Sequence, residues 1–264
     1  MVKICPLFSG SEGNSTYIED DDLCFLVDAG RSAKQIESTL MKNDLKTSIK
    51  FILVTHEHSD HTSGLRVFAK KFGVKIYASK GTLEALKEKQ VLDGKLEYEV
   101  IDLNGIEDEK IKINPFEISH DCSEGYGYSI FLKKSKLKIS FCSDLGYISQ
   151  NVLDMISGSD VLFIESNHDI EMLKNGPYPQ VLKNRIMSNQ GHLSNSSCSE
   201  ILPKLVESGT SKFVLCHLSS TNNTPEIAYN CALSSLKNYG FEQGKNFDLY
   251  VSPKKNMGEF NICI

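Results

Sequence analysis

The sequence predicts an α/β fold, and three observations carry that prediction. Short runs of β-branched and aromatic residues alternate with amphipathic helical stretches over 24–89. The alternation returns over 148–239, and the stretch between, 95–142, reads as strands joined by turns. The expected organisation is one domain over 1–264, built from two similar halves, about 1–145 and 146–264.

Taken in order, residues 3–8 form a strand in which Pro6 points to a sheet edge, because proline cannot donate to the ladder. Ser9-Gly10-Ser11-Glu12-Gly13-Asn14-Ser15 is a loop dense in glycine and hydroxyls. It reads as a hairpin connection or as a loop whose amides approach a phosphate; no Gly-Lys-Ser/Thr follows, so it is not a P-loop. Strands at 16–19 and 24–27 come next, the second ending at Asp28, a carboxylate placed to brace a site at that strand end. Ser32 caps a helix running to about Asn43. A strand at 50–54 leads to a histidine-rich turn. Then Leu65, Phe68, Ala69 and Phe72 share one face of a helix that Gly73 ends. A strand at 74–78 and a helix at 81–89 complete this stretch.

Strands follow at 96–101, 110–119, 127–132 and 136–142, with Lys133-Lys134-Ser135-Lys136 as a solvated hairpin turn. The rest predicts a helix at 148–156, a strand at 160–164, helices across 169–188, a helix at 195–207 and a strand at 212–216. A last helix, 224–239, has Thr224 as cap and Pro225 in its first turn, and Gly240 ends it. Strands near 247–252 and 259–262 close the chain.

Hydrophobic content of 40% and charged content of 24% fit a globular chain. The eight cysteines are scattered, with no Cys-x-x-Cys, and several sit in apolar runs. They read as reduced thiols, which excludes a disulfide framework and a zinc knuckle. No signal peptide is evident, and no apolar run approaches the ~20 residues that cross a bilayer. The expected location is the cytoplasm, with no membrane partner. The net charge of −5 argues mildly against indiscriminate nucleic-acid binding. Two bound divalent ions would add four positive charges where a phosphate sits, so overall charge decides little.

The chemistry is concentrated in Thr55-His56-Glu57-His58-Ser59-Asp60-His61, directly after the 50–54 strand. Three imidazoles and a carboxylate lie where the chain turns out of the sheet, and these side chains hold a borderline ion such as zinc. Four donors exceed the three that one open catalytic site takes, which points to two metals. His58 stands where a carboxylate would favour an oxygen-reactive di-iron site, so hydrolysis is favoured over redox chemistry. Further along, His120 and Asp144 each close a strand. They supply a third imidazole for one ion and a carboxylate able to bridge both. His217 ends an apolar strand as His120 does, and polar loops carry Glu165-Ser166-Asn167-His168 and Gly191-His192-Leu193-Ser194-Asn195.

His56-x-His58-x-Asp60-His61, His120, Asp144 and His217, in this order, resemble the signature of the metallo-β-lactamase-fold hydrolases. The resemblance implies a four-layer αββα sandwich with the site at one edge, where strand ends from both halves meet. More narrowly, the Ser9–Ser15 loop, Glu165–Asp169, Gly191–Asn195 and His217-Leu218-Ser219 look like the YycJ/WalJ branch of metal-dependent DNA exonucleases. By resemblance, one metal takes His56, His58 and His120; the other takes Asp60, His61 and His217; Asp144 bridges. Glu165 and His192 look like the pair that ribonuclease Z-type phosphodiesterases place beside the metals, His192 protonating the leaving oxygen and Glu165 orienting it. Asp60 would also orient the attacking hydroxide.

The resulting expectation is a hydrolase using two divalent ions (zinc, manganese or iron) and no organic cofactor, a phosphodiesterase acting as an exonuclease on double-stranded DNA. Lys174, Lys183, Arg185, Lys254 and Lys255 are candidates for tracking the DNA backbone, against the plainer reading of solvated surface. The alternatives are a hydrolase of small esters, thioesters or cyclic nucleotides on the same metals, and a metal-binding regulatory protein without turnover.

Overall fold

The computed structural model describes residues 1–264. The first sheet is built from β1 (Val2–Phe8), β2 (Ser15–Asp20), β3 (Leu23–Val27), β4 (Phe51–Leu53), β5 (Lys75–Ala78) and β6 (Tyr98–Val100). The second contains β7 (Ile106–Glu107), β8 (Ile111–Glu117), β9 (Tyr126–Leu132), β10 (Leu137–Cys142), β11 (Val161–Glu165), β12 (Lys212–Cys216) and β13 (Asp248–Val251). The last strand, β14 (Ile262–Cys263), returns to the first sheet, giving the orders β14-β1-β2-β3-β4-β5-β6 and β13-β12-β11-β10-β9-β8-β7.

In each sheet the early strands pair antiparallel and the later ones parallel, from β3 to β6 and from β10 to β13. Apart from β14, the sheets therefore divide the chain between Val100 and Ile106, whereas the sequence expectation put the division of the halves near 145. The all-strand stretch opens the second repeat, as β1–β3 open the first; periodicity alone makes it look like a tail of the first.

Side chains alternate faces along each strand, which makes three cores. Phe25 and Val27 of β3 and Val161 and Phe163 of β11 share the cluster between the sheets. Cys24 and Leu26 face outward, under α1 (Ala33–Lys42), α3 (Leu65–Phe72) and α4 (Lys80–Glu88). Leu162 and Ile164 face the opposite way, under α5 (Gln150–Ile156), α8 (Asn195–Glu207) and α9 (Pro225–Asn238). Helix, sheet, sheet, helix is the order of layers, as expected.

Local chemistry sets the helix starts. Ser32, Ser79, Ser149, Ser194 and Thr224 each accept a hydrogen bond from an amide of the first turn. Two expectations need correction. Pro6 does not mark an edge strand, because β14 lies outside β1. But β14 pairs only with Lys3 and Ile4, and pairing with 254–256 resumes at Leu7 and Phe8, so the residue that cannot donate falls in the gap between them. The histidine-rich segment is not all loop: Ser59–Thr62 forms α2, a single turn that places Asp60 and His61 against His58. The two short helices α6 (Ile170–Asn175) and α7 (Gln180–Ile186) fill the 169–188 region.

Candidate metal centre

The site is assembled from strand ends of both sheets. Asp28 follows β3, Asp144 lies two residues after β10, and His217 follows β12. All three have a left-handed backbone, with φ of 62°, 59° and 55°. Asp and His tolerate this region better than bulkier residues, and the abrupt turn aims each side chain across the sheet edge. Glu165 ends β11, His120 follows β8 by a short loop, and His192 precedes α8.

These residues converge. His56, His58 and His120 form one group whose candidate ligand atoms all lie within 4.8 Å of one another. Asp60, His61 and His217 form a second, and Asp144 joins His56 and His61 in a third. All seven sequence candidates for metal ligation are thus brought together, with Glu165 and His192 in a further group beside Asp144 and His217.

Hydrogen bonds from behind decide which ring nitrogens face the centre. An ionised carboxylate only accepts, so a ring nitrogen hydrogen-bonded to one carries the proton and leaves the other free for an ion. His61 Nδ1 is 2.7 Å from Asp28 Oδ2, and His217 Nδ1 is 2.7 Å from Glu165 Oε1. Both therefore turn Nε2 toward Asp60 Oδ2, at 3.5 Å from His61 and 3.4 Å from His217. His120 Nδ1 lies 3.2 Å from the Gly191 carbonyl, and its Nε2 meets His58 Nδ1 at 3.3 Å. Asp144 sits at the middle, Oδ2 3.2 Å from His61 Nε2 and Oδ1 3.3 Å from His217 Nδ1.

The donor set fits a divalent ion by a test internal to the protein. His56 Nε2 and Asp144 Oδ2 are buried polar atoms without a hydrogen-bond partner. Leaving such atoms unsatisfied is costly, and a cation between them removes the cost. The charges point the same way. Burial opposes the Asp144 carboxylate, yet the His217 and His61 imidazoles hold it well below the usual carboxylate range. Burial would neutralise His217 and His61, but the surrounding carboxylates overcome it and raise both, so the centre draws protons that a divalent cation would replace on binding. His56 and His120, buried among other imidazoles, are pushed down toward the neutral form that a metal requires.

Glu165 is fully buried and saturated. Its Oε1 lies 2.9 Å from His192 Nδ1 as well as 2.7 Å from His217 Nδ1, and Oε2 accepts from the Leu145 and Leu193 amides. Burial alone would raise its pKa; the imidazole of His192 and then that of His217 bring it to about 2. His192 is held with Nε2 turned away from Glu165, and its side chain lines the cleft over the centre.

Several contributors were not legible in the sequence as part of the site. Thr55 donates from both backbone and hydroxyl to Asp28, and its Oγ1 lies 3.1 Å from His56 Nδ1 and from His61 Nδ1. Asn14 places its amide 3.1 Å from His61 Nε2, and Ser9 Oγ accepts from the His217 amide. The glycine-rich loop that holds Ser9 and Asn14 was the only signal. Glu57, between two of the histidines, accepts from Ser123 and so ties down the loop that carries His120. His168 is buried outside the centre with Nδ1 unpartnered.

Residues 24–218 match the β-lactamase superfamily domain. Exodeoxyribonuclease YycJ of Bacillus anthracis is 35% identical over 94% of this chain and 94% of its own. Exodeoxyribonuclease WalJ of Streptococcus pneumoniae is 37% identical over 92% of this chain and 91% of its own. This chain belongs to the YycJ/WalJ family of the β-lactamase superfamily. The metallo-β-lactamase-fold protein YhfI of Bacillus subtilis superposes with a TM-score of 0.71 at 15% identity, over 99% of this chain and 98% of that one, which shows the shared sandwich. The YycJ and WalJ relatives thus match more than nine-tenths of this chain.

The cleft of about 240 Å³ over the centre is lined by Asp60, His120, Asp144, His192 and His217 and by Tyr178, Leu182 and Ile186. An open groove of about 640 Å³ adjoins it, sharing His58, Asp60 and Arg185 and adding Arg66 and Lys89. Of the basic residues proposed to track DNA, Lys183 is excluded. It is 9% exposed, and its ammonium donates to the Lys174 carbonyl. Lys174 and Lys254 are engaged with Glu171 and Glu12, and Arg185 with Asp121. No helix is long and apolar enough to cross a membrane.

Proposed function

We propose that this protein is a two-metal phosphodiesterase that removes nucleotides from the ends of double-stranded DNA; its YycJ and WalJ relatives are named exodeoxyribonucleases, which supports the action on DNA ends. The observation that carries the reading is the Glu165–His192 pair standing beside the ligand cluster. A nucleotide alkoxide is a poor leaving group and needs a proton, whereas a lactam or thioester leaving group needs one less.

One ion would be held by His56, His58 and His120, the other by Asp60, His61 and His217, with Asp144 between them. Zinc, manganese and iron all suit this set. Ions bound there lower the pKa of a water and neutralise the phosphate oxygens. Asp60, whose side chain is 22% exposed, orients the attacking water at the cleft floor. Glu165 keeps the proton on His192 Nδ1, so Nε2 is the atom that donates to the departing oxygen. The strand continues into the adjoining groove, where Lys89 meets the Glu57 carbonyl and no carboxylate, leaving its charge for a backbone phosphate. Eight free cysteines suit work in the reducing cytoplasm.

The test compares wild type with His192→Ala on end-labelled duplex DNA and on a phosphodiester with a nitrophenolate leaving group. A loss of about 10²–10⁴ in kcat on DNA, with little change on the activated ester, is expected of a proton donor. Equal losses on both substrates would remove His192 from that role. Wild-type turnover of the small ester alone would replace the DNA reading with a small-molecule hydrolase.

A further inference from the structure

The cleft over the centre is two-faced. Part of its lining is the polar cluster, and its three apolar lining residues, Tyr178, Leu182 and Ile186, all come from one short segment. Tyr178 sits between Pro177 and Pro179 in Gly176-Pro177-Tyr178-Pro179, just before α7. Each proline fixes its own φ and confines the residue before it to extended backbone, so the ring is presented by a stiff turn. Tyr178 is partly exposed, and its hydroxyl has no hydrogen-bond partner, so neither burial nor a polar contact explains an aromatic side chain here. Leu182 and Ile186, four residues apart, continue the same face along α7.

A nucleotide has the matching pair of surfaces, an anionic phosphodiester and a flat base. The polar cluster and the apolar residues line one cleft of about 240 Å³, so each surface of the nucleotide has a counterpart in it. Resting on the proposed nuclease reading, we propose that Tyr178 is the platform on which the base of the terminal nucleotide stacks, with Leu182 and Ile186 closing the apolar wall behind it. Stacking on an aromatic ring is sequence-tolerant because every base has a π-face, and a stiff platform loses little entropy when it binds. The platform thus selects for the presence of a base and is indifferent to which base it is.

The experiment compares linear duplexes carrying either normal or abasic (tetrahydrofuran) terminal nucleotides at both 3′ and 5′ ends. Wild type, Tyr178→Ala and Tyr178→Phe are assayed as metal-loaded proteins of verified metal content. Wild type is expected to favour the normal end by about tenfold in kcat/KM. Tyr178→Ala should fall on the normal end to its rate on the abasic end, and Tyr178→Phe should keep the preference. A wild type indifferent to the base, or a Tyr178→Ala that retains the full preference, overturns the platform while leaving the nuclease reading intact. Failure of metal-loaded wild type to digest any end overturns both.

Discussion

Glu165 has no exposed surface, yet it is charged, and four donors keep it so: two amides and two imidazoles. Glu165→Ala leaves those donors buried without an acceptor, a change worth about 3–5 kcal/mol of stability. Urea unfolding of the chelated protein measures it, and an unchanged midpoint would contradict the account. His168 gives the pH counterpart. Burial drives its pKa down from 6.5 to about 4, so the unfolded chain binds the proton more readily than the native state does. Stability is therefore intact at pH 7 and is lost as pH falls through 6.5 toward 4, by about 2 kcal/mol between pH 7 and pH 5. His168→Asn should shrink the difference in unfolding free energy between those two pH values by that amount. The ligand candidates from His56 to His61 could be read in the sequence because they lie within six positions. Asn14 could not, since it reaches His61 only after two distant loops have folded together.

At the scale of elements, the site depends on backbone segments packed closer than a side chain permits. A Cβ on Gly30 would lie 1.7 Å from the Asp60 carbonyl, and the Asn14 amide donates to that same carbonyl. Gly30→Ala must displace α2 and with it Asp60 and His61. Its expected signature is a loss of about 1–3 kcal/mol in stability together with weakened metal retention. Stability lost with metal content preserved would show that α2 does not depend on this contact. Most strands and helices were legible because hydrophobic periodicity and serine or threonine caps are local signals. The two-residue β7, the single turn α2 and the division of the sheets near 101–106 were not. Each is set by pairing or packing with residues far along the chain, which a local pattern does not carry.

For the whole molecule, the centre joins the strand ends of two sheets that draw mainly on different parts of the chain. The first supplies Asp28 and His56 to His61; the second supplies His120, Asp144, Glu165, His192 and His217. Bound metal should therefore act as a tie between the sheets. At a free metal concentration a hundredfold above Kd it adds about 3 kcal/mol, which for a chain of this size is roughly 5–10 °C in melting temperature. Calorimetry with and without chelator should show that shift in wild type and little of it in His61→Ala. The central claim, that the metal-bearing cleft digests DNA from its ends, is tested most directly with linear and covalently closed circular duplex offered to the metal-loaded protein, with and without chelator. The account predicts nucleotides released from the linear form only, and only with metal present. A linear duplex left intact, an equally degraded circle, or digestion that survives the chelator would contradict it.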